Sequence, residues 1–328
     1  MNIVSTGLYV PGKPIDNSEL MELAGVEFDA ERIRSKLGIT QRHIAHLRGI
    51  DETSADFAEK AARAAIADAG IDPEEIGLFI VASDTPEYIS PATSMLLQGR
   101  IQGGQRYSGV FDVNASCSSF VAALHSAQAL IRADKGMGYA CVVGMYNMPA
   151  YVRRGDVFGY SIFADGAAAF IIEDGEGYLG GQLLADGTQH DYVGVYSGGT
   201  RRPVTPERLA AGQYGLELLQ RLPGDRNVKL WPDMVDTLCA KIGKTRDEID
   251  HYLFTQINRS VIEEVMGILG QSLEKTTTVM DRYGYTGSAC IPMAFHSAVT
   301  AGRIKRGDTV MAVASGSGLA VAAGCWRY

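Results

Sequence analysis

The chain has 328 residues and carries 30 Lys and Arg against 38 Asp and Glu, a net charge of −8, with 46% hydrophobic and 21% charged residues. That composition can bury a large core and excludes a disordered chain, and the acidic balance lacks the basic clusters on which nucleic-acid binding rests. At roughly 150 residues per domain the length predicts two domains or one duplicated unit.

Five scattered cysteines (Cys117, Cys141, Cys239, Cys290, Cys325) form no CxxC pair, which argues against a disulfide framework and a thiolate metal site. No His/Asp/Glu spacing suggests a metal either. The opening segment MNIVSTGLYVPGKP reads as a first strand, not a signal peptide. No apolar run approaches ~18 residues. The expectation is a soluble, cytoplasmic protein with no membrane or nucleic-acid partner.

In chain order, residues 53–70 read as an amphipathic helix with a Thr/Ser start and a Gly stop. Residues 78–83 (LFIVAS) are an apolar run of the buried parallel-strand type, and 109–115 (GVFDVNA) predict a second strand. A helix of small residues follows at 118–134, then strands at 140–145 and 167–173. Alternation of this kind indicates an α/β fold. Residues 185–232 carry the weakest periodicity and are expected to form an elaborated loop region.

The second half echoes the first. At a shift of 171, residues 122–136 lie over 293–307, with His125 on His296 and Ser126 on Ser297. At a shift of 173, residues 69–83 lie over 242–256. Two matches at nearly one offset, joining the same element types, predict duplicated halves at 1–174 and 175–328. The duplication sets Cys117 opposite Ser288, each at the start of a small-residue helix. It also places Thr255 at a strand's carboxyl end, where α/β sheets build their sites.

Cys117 lies between a strand and a helix, flanked by Ala115, Ser116, Ser118 and Ser119. A thiol of pKa ~8.5 is only about 3% ionised at pH 7, and a helix N-terminus can lower it by ~1.5 units. The position therefore suggests an activated nucleophile that is close to half ionised. His125 and His296, inside the helices, read as packing residues; His251 is at a strand start, and His43 and His46 read as solvent-facing.

Several segments together resemble the ketoacyl synthase III branch of the thiolase superfamily. They are RIRSKLGITQRHIA (32–45), ASDTPEYISPATS (82–94), VNASCSSF around Cys117, FADGAAAF (163–170) and the closing SGSGLAVAAGCWRY. The resemblance implies a thiolase-like α/β fold: two stacked five-stranded βαβαβαββ halves in five α-β-α-β-α layers. It implies a homodimer, and an acyl group loaded on Cys117 from coenzyme A or acyl carrier protein, with the amides of Cys117 and Gly318 as oxyanion donors. No cofactor is implied beyond the pantetheine-borne thioester.

Two positions depart from the family pattern. Thr255, in TQIN, stands at the usual His, and Tyr285, in GYTGSA, at the usual Asn. In the family that pair stabilises the extender's thioester oxygen while carbon dioxide leaves. Both remain candidate catalytic residues here, with hydroxyls in place of an imidazole and an amide. Arg32 stands where the family has its adenine-stacking Trp, which favours a carrier protein over free coenzyme A. Lys36, Arg153 and Arg259 are candidate phosphate partners, and Asn258 and Ser288 further substrate-side candidates. Ser90, before Pro91, matches a residue that reaches the partner subunit's acyl pocket. The leading reading is an acyltransferase that acylates Cys117 and passes the acyl group on, by Claisen condensation or to a heteroatom. The alternatives are a thioester hydrolase and a non-catalytic subunit that shapes the tunnel of an active homologue.

Overall fold

A computed structural model describes residues 1–328. In the first half, strands β1 (Asn2–Tyr9), β2 (Ile76–Ala82), β3 (Gly109–Val113), β4 (Tyr139–Tyr146) and β5 (Gly166–Glu173) alternate with helices α1 (Ser54–Ala69), α2 (Thr93–Gln102) and α3 (Ser119–Ala133). The sheet order is β1-β5-β4-β2-β3, with β4, β2 and β3 parallel and β5 antiparallel to both its neighbours.

The second half contains β6 (Tyr178–Gln189), α4 (Arg226–Ile242), β7 (His251–Phe254), α5 (Arg259–Leu269), α6 (Cys290–Thr300), β8 (Thr309–Gly316) and β9 (Gly318–Arg327). Its sheet runs β7-β8-β9-β6, which superposes on the order β2-β4-β5-β1. Helices α3 and α6 touch strands of both sheets, while α1 and α2 cover one outer face and α4 and α5 the other. The result is the five-layered thiolase-like arrangement. One buried cluster of 57 residues spans both sheets and the central helices, so the halves share a core across the 174/175 turn. No helix is long and apolar enough to cross a membrane.

The halves differ at one edge. Where the first sheet has β3, the second has only a single bridge from Tyr252 to Thr276, so it has four strands instead of the expected five. Side chains satisfy the backbone that a ladder would have paired: Thr276 donates to Tyr252 O, and the Gln256 amide donates to Thr277 O and accepts from Val279 N–H.

Local chemistry explains the elements that were legible. Thr53 and Asp56 form a capping box on α1, and Gly70 ends it in the left-handed conformation, where a side chain would be strained. The helix is rich in Ala because β1 runs directly beneath it. Residues 185–232 are more ordered than their sequence suggests. β6 extends to Gln189, Val193–Val195 pairs with Leu216–Leu218, and α4 begins at Arg226. The start of α4 has no side-chain cap and a proline follows at Pro232, so the usual signals of a helix start are absent.

The expectation of a solvent-facing polar segment at 41–46 holds for His46 and fails for His43. His43 is buried against Pro11 O and Gly12 O, and Arg42 beside it donates to Asn17 Oδ1 and Ser161 O. Internal partners take the place of water for His43 and for Arg42 Nη2, while Arg42 Nε and Nη1 are buried without one. The paired histidines of the central helices are anchors to the sheets: His125 bonds the Tyr178 hydroxyl at 2.6 Å and His296 the Thr6 hydroxyl at 2.8 Å.

Gly7 on β1 lies directly against α1, since a methyl there would run into Ala61 O and Ala65 N of that helix. We expect Gly7→Ala to cost about 1–3 kcal/mol through overpacking, read as a Tm lower by several degrees. An unchanged Tm would show that α1 can move off the strand.

Candidate active site

The turn from β3 to α3 presents Cys117. Ser116, just before it, is the one non-glycine residue with positive φ, at 47°, a conformation that costs of order 1 kcal/mol for an L-residue. Short serine contacts hold it there. Ala115 N–H donates to Ser119 Oγ at 2.8 Å, Ser118 Oγ to Ala115 O at 2.6 Å, and Ser119 Oγ to Ser116 O at 2.5 Å. From the other half, Ser317 Oγ meets Ser116 Oγ at 3.0 Å, and a Cβ on Gly316 would lie 2.6 Å from Cys117 N.

Cys117 opens on a cavity of about 480 Å³ whose lining includes Asp84, Tyr285, Arg226, Asn227 and Gly318. Tyr285 is 1% exposed. Its backbone is pinned between Ile162 O and Ala164 N, and its ring packs on Phe163 and Tyr146. Its hydroxyl approaches the Cys117 sulfur without closing a regular hydrogen bond, and that approach favours the thiolate. Burial, and then the Asp84 charge, act the other way and hold the thiol well above its ordinary range. The expectation of a half-ionised thiol therefore fails: the helix start is present, but desolvation and a neighbouring carboxyl outweigh it. Asp84 follows the carboxyl end of β2. Its Oδ1 is sealed from solvent with no hydrogen-bond partner, and burial pushes its carboxyl up to about 6.

The other sequence candidates distribute as follows. Thr255 is buried and does not line the cavity; its Oγ1 accepts from Ser315 N–H at 2.8 Å, clasping the end of β7 to β8. Ser288 is likewise away from the cavity and donates to Met145 O at 2.6 Å. Asn258 lines the cavity, and its Oδ1 caps α5 by accepting from Ser260 N–H and Val261 N–H. Gly318 contributes backbone to the wall.

Lys36 and Arg32 are exposed on the turn that carries Leu37 to the cavity. Arg259 packs over Gly38 and reaches Arg34 O, so these cations share one rim. Arg153 lies outside the lining and donates to Gly212 O at 2.9 Å. Ser90 is exposed on a loop whose Ile89 is 81% exposed, and it does not reach this chain's own cavity. Asp84, Arg226 and Asn227 escaped the sequence reading. The one available signal was an acid placed directly after a buried parallel strand.

A strained cysteine turn between two stacked mixed sheets, facing a half-open cavity, gives this thiolase-like fold a nucleophile with room for a substrate. The 3-oxoacyl-[acyl-carrier-protein] synthase III profile matches residues 111–187, and the profile of that enzyme's C-terminal part matches residues 239–328. The β-ketoacyl-[acyl-carrier-protein] synthase III of Symbiobacterium thermophilum is 33% identical over 322 residues, covering 97% of this chain and 95% of its own length. That of Rhizobium meliloti is 35% identical over 320 residues, covering 95% and 94%. The solved 3-oxoacyl-[acyl-carrier-protein] synthase III of Aquifex aeolicus is 28% identical with a TM-score of 0.85, each chain covered to 99%. The chain belongs to the 3-oxoacyl-[acyl-carrier-protein] synthase III family.

Because the Asp84 charge opposes ionisation of Cys117, Asp84→Asn is expected to lower the thiol's pKa. Alkylation of Cys117 by iodoacetamide, followed by intact mass against pH, should then rise at lower pH in the variant than in the wild type, with Cys117→Ala unlabelled at that site. Coincident profiles would remove Asp84 from the electrostatics of the nucleophile.

Proposed function

We propose that this enzyme loads an acyl group from an acyl thioester onto Cys117 and delivers it to a nucleophile that it does not generate by decarboxylation, with Asp84 as the proton acceptor. The carrying observation is the exchange of groups around the sulfur. The hydroxyl of Thr255 is committed to Ser315 N–H, and Tyr285 offers a single O–H, while the Asp84 carboxyl, one oxygen of which is sealed without a partner, lines the same cavity.

In the first step Cys117 Sγ attacks the thioester carbonyl as its proton passes to Asp84. The amides of Cys117 and Gly318 serve as donors to the oxyanion, and the carrier's sulfur leaves with that proton. In the second step the acceptor's N–H, O–H or acidic C–H gives its proton to Asp84 while the acceptor attacks the acyl carbon. The Cys117 sulfur then leaves as thiolate and recovers the proton. A buried carboxyl with a pKa of about 6 suits both exchanges near neutral pH.

The rim formed by Arg32, Lys36 and Arg259 suits the phosphate of a pantetheine arm, whether on acyl carrier protein or coenzyme A, and Asn258 lies on the way in. We further assign the working form as a cytoplasmic homodimer. The open edge strand β3 is flanked by the fully exposed Tyr107 and by the Ser90 loop, which would reach the partner's acyl pocket. Light scattering should give twice the 35.2 kDa chain mass; a monomer at micromolar concentration would contradict it.

The function predicts a split phenotype. Acyl mass should appear on wild type and not on Cys117→Ala, while carbon dioxide release from labelled malonyl thioester is at least ~100-fold slower than in a family member that has the His and Asn, the scale set by losing one pre-aimed oxyanion donor. Brisk release would overturn the non-decarboxylating reading. An adduct lost to water with every acceptor would make the protein a hydrolase, and no adduct would make it a non-catalytic subunit.

A further inference from the structure

Arg226 is the one Arg or Lys on the cavity lining, and no acid pairs with it. Its guanidinium makes no hydrogen bond or ion pair, and Nη1 is sealed from solvent without a partner. Asp225 beside it is taken by Lys229 at 2.5 Å. The groups that bear on it electrostatically are Tyr285, Cys117 and Tyr192, and burial holds the first two well above their ordinary values, so they are neutral at pH 7. Arg226 also occupies the first position of α4, where the helix dipole disfavours a cation. A half-buried guanidinium without an anion is a costly arrangement that a bound anion relieves.

The next residue supplies a second donor. Trp231 Nε1, which can only donate, bonds Ser315 Oγ at 3.2 Å, and Ser315 Oγ stands 2.9 Å from Asn227 Oδ1. The serine hydroxyl, already accepting from the indole, donates to Asn227. This fixes the orientation of the Asn227 amide and leaves its NH₂ group as the free end of a side chain that lines the cavity. The guanidinium and the oriented amide both border the cavity, and a charged and a neutral N–H donor together suit the two oxygens of a carboxylate.

We infer that Arg226 and Asn227 form a carboxylate receptor inside the acylation cavity, so that a substrate reacting at Cys117 carries a free carboxylate. The inference deepens the acyl-transfer reading and rests on it for the role of Cys117. The carboxylate belongs either to the acyl donor, as the far end of a dicarboxylic chain, or to the acceptor. Decarboxylation gains nothing from such a contact, because the receptor stabilises the charged carboxylate that would have to be lost.

The full-length enzyme is alkylated at Cys117 with iodoacetamide in the presence of glutarate, pentanoate or pentanamide, and labelling is read by intact mass. Both carboxylates should protect saturably and the amide should not. In Arg226→Gln half-protection should need an about tenfold higher carboxylate concentration, the loss of one charge-assisted contact. A melting temperature equal to that of the wild type shows that the variant is folded. Equal protection by pentanoate and pentanamide, or protection unaltered in both Arg226→Gln and Asn227→Leu, would overturn the receptor.

A second arm locates the carboxylate. Faster acylation of Cys117 by glutaryl- than by pentanoyl-coenzyme A, with the preference lost in Arg226→Gln, assigns it to the acyl donor; equal rates assign it to the acceptor. Carboxylate protection without an adduct from any thioester would leave the receptor standing and overturn the acyl-transfer reading alone.

Discussion

No side chain fits between the end of β8 and the turn that carries Cys117. A Cβ on Gly316 would lie 2.6 Å from the amide nitrogen of the nucleophile and from Ser116 Cβ, so the second half of the molecule braces the first at its most strained point. The left-handed Ser116 costs energy that its surroundings must offset, beginning with the turn's own hydrogen bonds. Part of the offset comes from Ser317 across the interface, and part from the core that presses the sheets together. The duplicated architecture is in this sense the support of a single turn: one half supplies the nucleophile, and the other supplies its backstop and the wall at Gly318.

The same end of β8 explains the fate of Thr255. A short β-branched hydroxyl at the end of β7 sits closer to the neighbouring strand than to the cavity, and it closes on the Ser315 amide. Ser315, one residue before Gly316, then connects Trp231 to Asn227 through its own hydroxyl. Thr255 is thereby part of the framework that holds β8 in register. Tyr285, by contrast, stays on the cavity wall, because its backbone is fixed by Ile162 and Ala164 and its ring is held between Phe163 and Tyr146.

The sequence made the periodic and locally capped parts of the fold legible. The box of Thr53 and Asp56, the Gly70 stop and the buried run of β2 each act within a few residues, and the shared offset of the two central helices exposed the duplication. Cys117 stood out because a strand, small neighbours and a helix start coincide there. What escaped depends on long-range placement. Arg226 follows a Pro-Gly-Asp turn with no helix cap, and Asp84 is a lone acid in a polar stretch. Neither has a period or a partner in sequence that would mark it. The thiol's protonation was misjudged for a related reason: the helix start is local and visible, whereas burial and the approach of Asp84 arise only when the cavity closes. His43 repeats the point, since polar neighbours in sequence became internal hydrogen-bond partners in the fold.

Asp84 and Arg226 carry opposite charges in one cavity and yet form no ion pair. Paired, they would neutralise each other, satisfy their hydrogen-bonding groups and leave the cavity inert. Held apart, each keeps a sealed atom without a partner, and the shared core must tolerate the desolvation of both. Such tolerance has a direction. The acid stands where it opposes a resting thiolate, so ionisation of Cys117 is deferred until a carbonyl is present to take up the charge. The guanidinium stands where Cys117 and Tyr285 are neutral, so neither of them serves it as a counter-ion. A substrate bearing a carboxylate and a transferable proton satisfies both groups at once, the carboxylate meeting the guanidinium and the proton meeting the acid.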